Sequence, residues 1–233
     1  MTRGKMEEKL AIQNPWWAEP ARINDDEKIK AALARTHRLS YAFEKGNFLL
    51  VGPRQVGKTT YLKLLVKELV EKGEPRNVFY YACDLIKNAE EIVEVIKSFD
   101  SMAKKGQKYV FLDEVTFVNG WERAVKFLLD SPLAKDKYIY VTGSSSIGLK
   151  KERFPGRNIK IKEFLPLDFR MFCQLFGSDE LKHAIERIGL FRLEPIEIYR
   201  FGKELIPFFA ELERLFNLYL GCGGYPKAFF ELI

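Results

Sequence analysis

The segment Gly52-Pro53-Arg54-Gln55-Val56-Gly57-Lys58-Thr59 sets two glycines, a lysine and a hydroxyl side chain at the spacing GxxxxGK[ST]. Glycines permit the tight wrapping that turns successive backbone N–H groups toward one anion. A lysine adds a cation, and a threonine hydroxyl can ligate a divalent ion. Together these are the tools of triphosphate binding. Gly52, Pro53, Arg54, Gln55, Val56, Gly57, Lys58, Thr59 and Thr60 are therefore expected to cradle the phosphates of ATP. Lys58 would reach the β- and γ-phosphates and Thr59 would ligate Mg²⁺.

Further along, the apolar run Tyr109-Val110-Phe111-Leu112 delivers two carboxylates, Asp113 and Glu114, at its tip. Asp113 is expected to hold Mg²⁺ through its water shell, and Glu114 to polarise the attacking water as a general base. A carboxylate in that second role favours hydrolysis over phosphoryl transfer to a small acceptor. Thr142-Gly143-Ser144-Ser145-Ser146 ends the next apolar run. A polar side chain there can sense the γ-phosphate or orient the water; Ser144 is the first choice and Thr142 the second. Glu152 to Arg157 carries two arginines in a Pro-Gly turn. An arginine reaching the γ-phosphate from a neighbouring subunit or domain would neutralise transition-state charge, and Arg157 is preferred to Arg153 for that role. The competing reading is a loop arginine paired with a carboxylate. His37 and His183 have no Cys or carboxylate companion at ligand spacing and read as structural or surface residues.

For these groups to meet, the chain must place them on one edge of a sheet. Phe48 to Val51 reads as a strand entering the glycine-rich turn, and Thr59 to Val70 as a helix carrying Leu62, Leu65, Val66 and Leu69 before Gly73 stops it. Val78 to Ala82, Tyr109 to Leu112 and Tyr138 to Thr142 read as further apolar strands, with helices over Glu90 to Met102 and Trp121 to Leu129 between them. Asn158 to Phe164 alternates more polar residues, as an edge strand would. Near-continuous apolar strands separated by helices predict an α/β fold: a P-loop three-layer sandwich with a mostly parallel five-stranded sheet. Ligands of such sheets sit at the carboxyl ends of the strands. After Pro166 the pattern turns helical over Leu167 to Phe176, Glu180 to Ile188 and one long stretch from Glu197 to Leu220. Ahead of the core, Asn14-Pro15-Trp16-Trp17 is expected to pin a lead-in onto it. The resulting domain reading is a lead-in over residues 1–40, a core over 41–165 and a helical lid over 166–233.

Hydrophobic residues make up 47% of the chain and charged residues 30%, the composition of a folded globular protein. The apolar runs are far shorter than the roughly 20 residues a spanning helix needs, and the N-terminus lacks the pattern of a signal peptide. The expectation is a cytoplasmic protein with no membrane contact. Three cysteines without CxxC spacing read as buried thiols. A net charge of +6 is compatible with a polyanionic partner, but the basic residues are dispersed along the chain.

The chain resembles the archaeal and bacterial ATPases of the AAA superfamily whose core precedes a winged-helix region and a C-terminal domain of unknown function. The likeness runs from about Phe48 to Phe230. Besides the motifs above, it rests on Leu112-Asp113-Glu114-Val115-Thr116 followed by Trp121-Glu122-Arg123-Ala124, on Phe164-Leu165-Pro166-Leu167-Asp168-Phe169-Arg170, and on Gly223-Gly224-Tyr225-Pro226. It implies a five-stranded parallel sheet, ATP as nucleotide, Lys58, Thr59, Asp113 and Glu114 in the roles given above, and a helical lid after Pro166. Members of that group continue well past the GGYP segment, so this sequence is expected to be a shortened version, which puts DNA-directed activity in doubt. The leading expectation is a Mg²⁺-dependent ATPase that couples hydrolysis to conformational change. The alternative is a nucleotide-dependent switch with little turnover that licenses a DNA or protein partner; self-association is left open. A small-molecule kinase would need an acceptor pocket, for which no element is evident.

Overall fold

Five short segments carry apolar side chains almost without interruption, and a strand of that kind is stable only in a sheet covered on both faces. They are β1 (Phe48–Val51), β2 (Val78–Ala82), β3 (Lys108–Asp113), β4 (Lys137–Gly143) and the more polar β5 (Lys160–Glu163). In the computed structural model, which describes residues 3–35, 44–144, 154–188 and 194–232, these form one sheet in the order β2-β3-β4-β1-β5. Every pairing is parallel. The polar β5 lies at the edge beside β1, as its composition predicted. His37, Ser145, Ser146 and Arg153 fall outside the described residues.

The connections are the helices α3 (Lys58–Lys72), α4 (Ala89–Met102) and α5 (Trp121–Asp130). Each shows its apolar stripe to the sheet; α4, for example, buries Ile92, Val95, Ile96 and Phe99 and is capped by Asn88, whose Oδ1 accepts from the Glu91 N–H at 3.0 Å. Because β1 is flanked by β4 and β5, whereas the chain from β1 crosses to β2, the strand order reverses beside β1. The carboxyl ends of β1, β3 and β4 therefore border a single crevice.

The other edge of the sheet is closed by the lead-in. A parallel edge strand exposes the N–H and C=O groups of alternate residues, and on β2 these belong to Val78, Tyr80 and Ala82. The indole N–H groups of Trp16 and Trp17 both donate to the Val78 carbonyl at 2.9 Å. The Asn14 amide exchanges two bonds with the Tyr80 backbone, accepting at 2.7 Å and donating at 2.9 Å. Gln13 Oε1 accepts from the Ala82 N–H at 2.8 Å. Helices α1 (Arg3–Gln13) and α2 (Glu27–Leu33) flank this segment, and Trp17 stacks on Phe79 and Phe99, both ring centroids at 5.9 Å. Asn14 is wholly buried, so Asn14→Ala leaves two backbone groups of Tyr80 without partners. At about 1–3 kcal/mol for each such group, the variant is expected to lose about 2–6 kcal/mol. A lower urea midpoint at unchanged slope is the measurement that checks it.

The described residues up to Phe164 form one compact unit, and those from Leu165 form a second. The second is all-helical: α6 (Phe169–Phe176), α7 (Asp179–Arg187), α8 (Pro195–Leu205), α9 (Phe209–Cys222) and α10 (Pro226–Leu232). Leu167, Phe172, Leu181, Leu215 and Phe229 lie in its own core. Asp168 caps α6 through the Met171 N–H at 2.7 Å, which accounts for the carboxylate in the Pro-Leu-Asp-Phe segment. The long helix expected from Glu197 to Leu220 is in fact two helices, broken at Ile206–Phe208. Pro207 lacks an N–H and its ring collides with the preceding turn, an effect that hydrophobic periodicity alone does not register. All three cysteines are free and buried. Among the described residues, no helix is long and apolar enough to cross a membrane.

Candidate functional site

The loop between β1 and α3 is shaped by three residues at positive φ, Gly52 (159°), Gln55 (68°) and Gly57 (95°), the last opening α3 with no side-chain cap of its own. Such alternation turns N–H groups to one side and leaves the first turn of the helix free to meet an anion. At its start the loop passes so close to β5 that a methyl group on Gly52 would fall 1.9 Å from the Phe164 carbonyl oxygen. Only glycine fits there. Val56 is buried, Arg54 and Gln55 are exposed, and Thr59 and Thr60 follow in the first turn of α3, half-buried. The Arg54 guanidinium lies 5.4 Å from the Phe117 ring centroid.

Lys58 is 3% exposed. Its ammonium donates to the carbonyls of Gly52 at 2.9 Å and Pro53 at 2.8 Å, and to Ser144 Oγ at 3.2 Å. Burial pulls this amine below the ordinary lysine range, an effect that the Glu114 and Asp113 carboxylates oppose and Arg54 reinforces. Ser144 in turn donates to Glu114 Oε1 at 2.6 Å, so one hydroxyl links the loop lysine to the carboxylate at the end of β3. Glu114 Oε2 is buried with no hydrogen-bond partner. Its residue sits in the left-handed region at φ 55°, a strained place for a side chain other than glycine, and its N–H donates to Thr142 Oγ1 at 2.8 Å.

Thr142 is fully buried, and its hydroxyl also donates to Asp113 Oδ1 at 2.5 Å. The other Asp113 oxygen accepts from the Tyr80 hydroxyl at 2.7 Å. Burial, with the Asp113 charge beside it, pushes the Tyr80 phenol far above its ordinary range, so it stays a donor. A methyl group on Gly143 would lie 2.5 Å from Thr116 Cγ2, and the next N–H, that of Ser144, donates to Thr116 Oγ1 at 3.2 Å. Among the described residues no cluster of three or more His, Cys, Asp or Glu is built to hold a metal unaided.

Lys58, Asp113, Glu114 and Ser144 thus converge with the loop from Gly52 to Thr60. Arg157 does not. It precedes β5 at the amino-terminal edge of the sheet, where its guanidinium pairs with Asp130 at 2.6 Å and 3.0 Å and with the Pro155 carbonyl at 3.3 Å. Tyr80 was not singled out by sequence reasoning. Its signal is visible only with the β2–β3 register, which pairs Ala82 with Asp113 and so sets Tyr80 on the same face two residues earlier.

Residues 44–173, more than half of the chain, match the protein family described as AAA domain. The chain belongs to the AAA domain family. Its relatives among curated proteins include two uncharacterised proteins of Methanocaldococcus jannaschii. One is 26% identical over 79% of this chain and 39% of its own length, the other 31% identical over 77% of this chain and 35% of its own. An uncharacterised protein of Haemophilus influenzae is 27% identical over 68% of this chain and 42% of its own length. The AAA domain chain therefore spans about two-fifths of the curated relatives it matches. Among solved structures, AMPPCP-bound DnaA from Aquifex aeolicus is similar at 19% identity and a TM-score of 0.38, covering 83% of this chain and 59% of that one. PCH-2 of C. elegans is similar at 17% identity and a TM-score of 0.48, covering 99% and 64%. Family membership and the P-loop sheet make this a nucleotide-binding domain of the AAA ATPase type.

Proposed function

We propose that this AAA domain is a Mg²⁺-dependent ATPase that couples hydrolysis to conformational change. The observation that carries the reading is the continuous contact from Lys58 through Ser144 to Glu114, with a buried Glu114 oxygen left unpaired beside a phosphate-type loop. An orphan acceptor of that kind is costly unless a donor such as water completes it, so the donor set suits a hydrolytic site.

The loop N–H groups and Lys58 would hold the phosphates, and Thr59 with Asp113 would hold Mg²⁺, which when bound supplies charge neutralisation on the phosphate oxygens. Glu114 takes a proton from the attacking water at its free oxygen, while Ser144 keeps the other oxygen turned away. Thr142 holds the strained Glu114 backbone and one side of Asp113. The coupling route starts at Gly52, packed against the Phe164 carbonyl, and at Tyr61, whose ring lies 5.1 Å from that of Phe164. Phe164 is the last residue before the helical unit, so a shift of the loop is passed along the chain into residues 166–233.

The reading is tested first at Lys58. Lys58→Ala removes the buried cation, and truncating one partner of such a charged contact typically costs about 2–5 kcal/mol, so ATP affinity is expected to fall at least ~30-fold. Titration calorimetry measures it, and undiminished affinity sinks the assignment. Steady-state phosphate release from the parent then separates an ATPase from a nucleotide-dependent switch.

A further inference from the structure

Asp113 is 3% exposed, and its two oxygens are each gripped by one hydroxyl from a different neighbouring strand: Thr142 on β4 and Tyr80 on β2. A carboxylate oxygen has two lone-pair directions, so this arrangement uses one on each oxygen and leaves the others free in a fixed orientation. Tyr80 is itself held at both ends. Its backbone N–H and C=O are occupied by Asn14 of the lead-in, and the Lys63 ammonium lies 5.3 Å from its ring centroid. Lys63 is tied to Asp26, the residue that caps α2. Tyr80 also lines a cavity of about 400 Å³ together with Trp16, Ile23, Lys63 and Val66.

We infer that Tyr80 is a positioning residue for the cation-facing carboxylate, and that the lead-in, by clamping Tyr80, is a working part of the nucleotide site. The inference rests on the reading of Asp113 as the group that faces Mg²⁺. Groups that orient a metal-facing carboxylate from behind typically contribute about 10–100-fold to metal affinity or activity.

The experiment titrates Mg²⁺ against binding of a fluorescent, non-hydrolysable ATP analogue, alongside binding of the same analogue in EDTA. Tyr80→Phe keeps the ring and deletes the hydroxyl; the Mg²⁺ concentration for half-saturation is expected to rise about tenfold or more, with affinity in EDTA within about twofold of the parent. In an Asp113→Asn background the same change is expected to add nothing, because the tyrosine acts only through that carboxylate. Asn14→Ser loosens the clamp without touching the hydroxyl; it is expected to shift the Mg²⁺ requirement in the same direction by less, and it carries the test alone if Tyr80→Phe does not fold. An unchanged Mg²⁺ requirement in either folded variant overturns the inference. So does an equal loss in EDTA, or a full shift in the Asp113→Asn background. A parent whose nucleotide binding ignores Mg²⁺ overturns the reading of Asp113 itself, a different result from any of these.

Discussion

Glu114→Gln is expected to bind ATP with Mg²⁺ as the parent does and to hydrolyse it about 10²–10⁴-fold more slowly, the range a positioned general base contributes. The two oxygens of Glu114 are unequal. Oε1 is committed to Ser144 at 2.6 Å, and Oε2, buried and unpartnered, is the one that can accept a proton. Glutamine keeps the shape and can still accept from Ser144, but it has no basic oxygen to spare. Binding is expected to survive because neither the loop carbonyls that Lys58 touches nor the Tyr80 and Thr142 contacts of Asp113 involve the Glu114 side chain. Calorimetry with ATP and steady-state phosphate release give the two numbers separately. Hydrolysis at the parental rate places the base elsewhere, whereas a parent that releases no phosphate favours the switch reading.

The second expectation concerns Arg157. Within one chain the P-loop lies at the far end of β1 from the turn that carries this arginine; the four residues of β1 alone span about 13 Å at ~3.3 Å each. If Arg157 assists hydrolysis, it does so for a neighbouring copy. Activity per chain is then expected to rise with protein concentration, and Arg157→Ala to bind ATP while losing turnover, by up to about 10³–10⁵-fold for an arginine acting on transition-state charge. Mixing Arg157→Ala with Glu114→Gln is expected to restore part of the activity, since one mixed interface holds an intact base and an intact arginine. Asp130 holds the guanidinium in a half-exposed pair, which an incoming charge can replace at little cost. Concentration-independent activity without rescue would leave Arg157 as the partner of Asp130 and no more.

Much of the fold was legible because short apolar runs bounded by Gly, Pro and Asn admit few other arrangements. All five strands were expected within two residues of their observed ends, and α3, α4 and α5 likewise. The reading failed where one residue overrides periodicity, as Pro207 does between α8 and α9. The lead-in was legible only as a pair of tryptophans needing partners. That its polar groups would match the outward-facing groups of Val78, Tyr80 and Ala82 depends on which strand ends the sheet.

The division follows from distance along the chain. From Gly52 to Thr59 the candidate groups are neighbours in sequence, and their spacing alone predicts a loop that turns N–H groups and a lysine toward an anion. The same holds for two carboxylates at the tip of an apolar strand. The contacts that decide how those groups act join residues far apart: Tyr80 to Asp113, Thr142 to Asp113 and to the Glu114 backbone, and Lys58 through Ser144 to Glu114. Each exists only because strands pair in a particular order and register, and a slip of one residue in β2, β3 or β4 would turn Tyr80, Asp113 or Thr142 to the opposite face. Residue type and spacing determined what chemistry the chain carries. Strand register decided which Glu114 oxygen is held, which is free, and that Arg157 pairs with Asp130 at the end of the sheet away from the loop of Gly52 to Thr60.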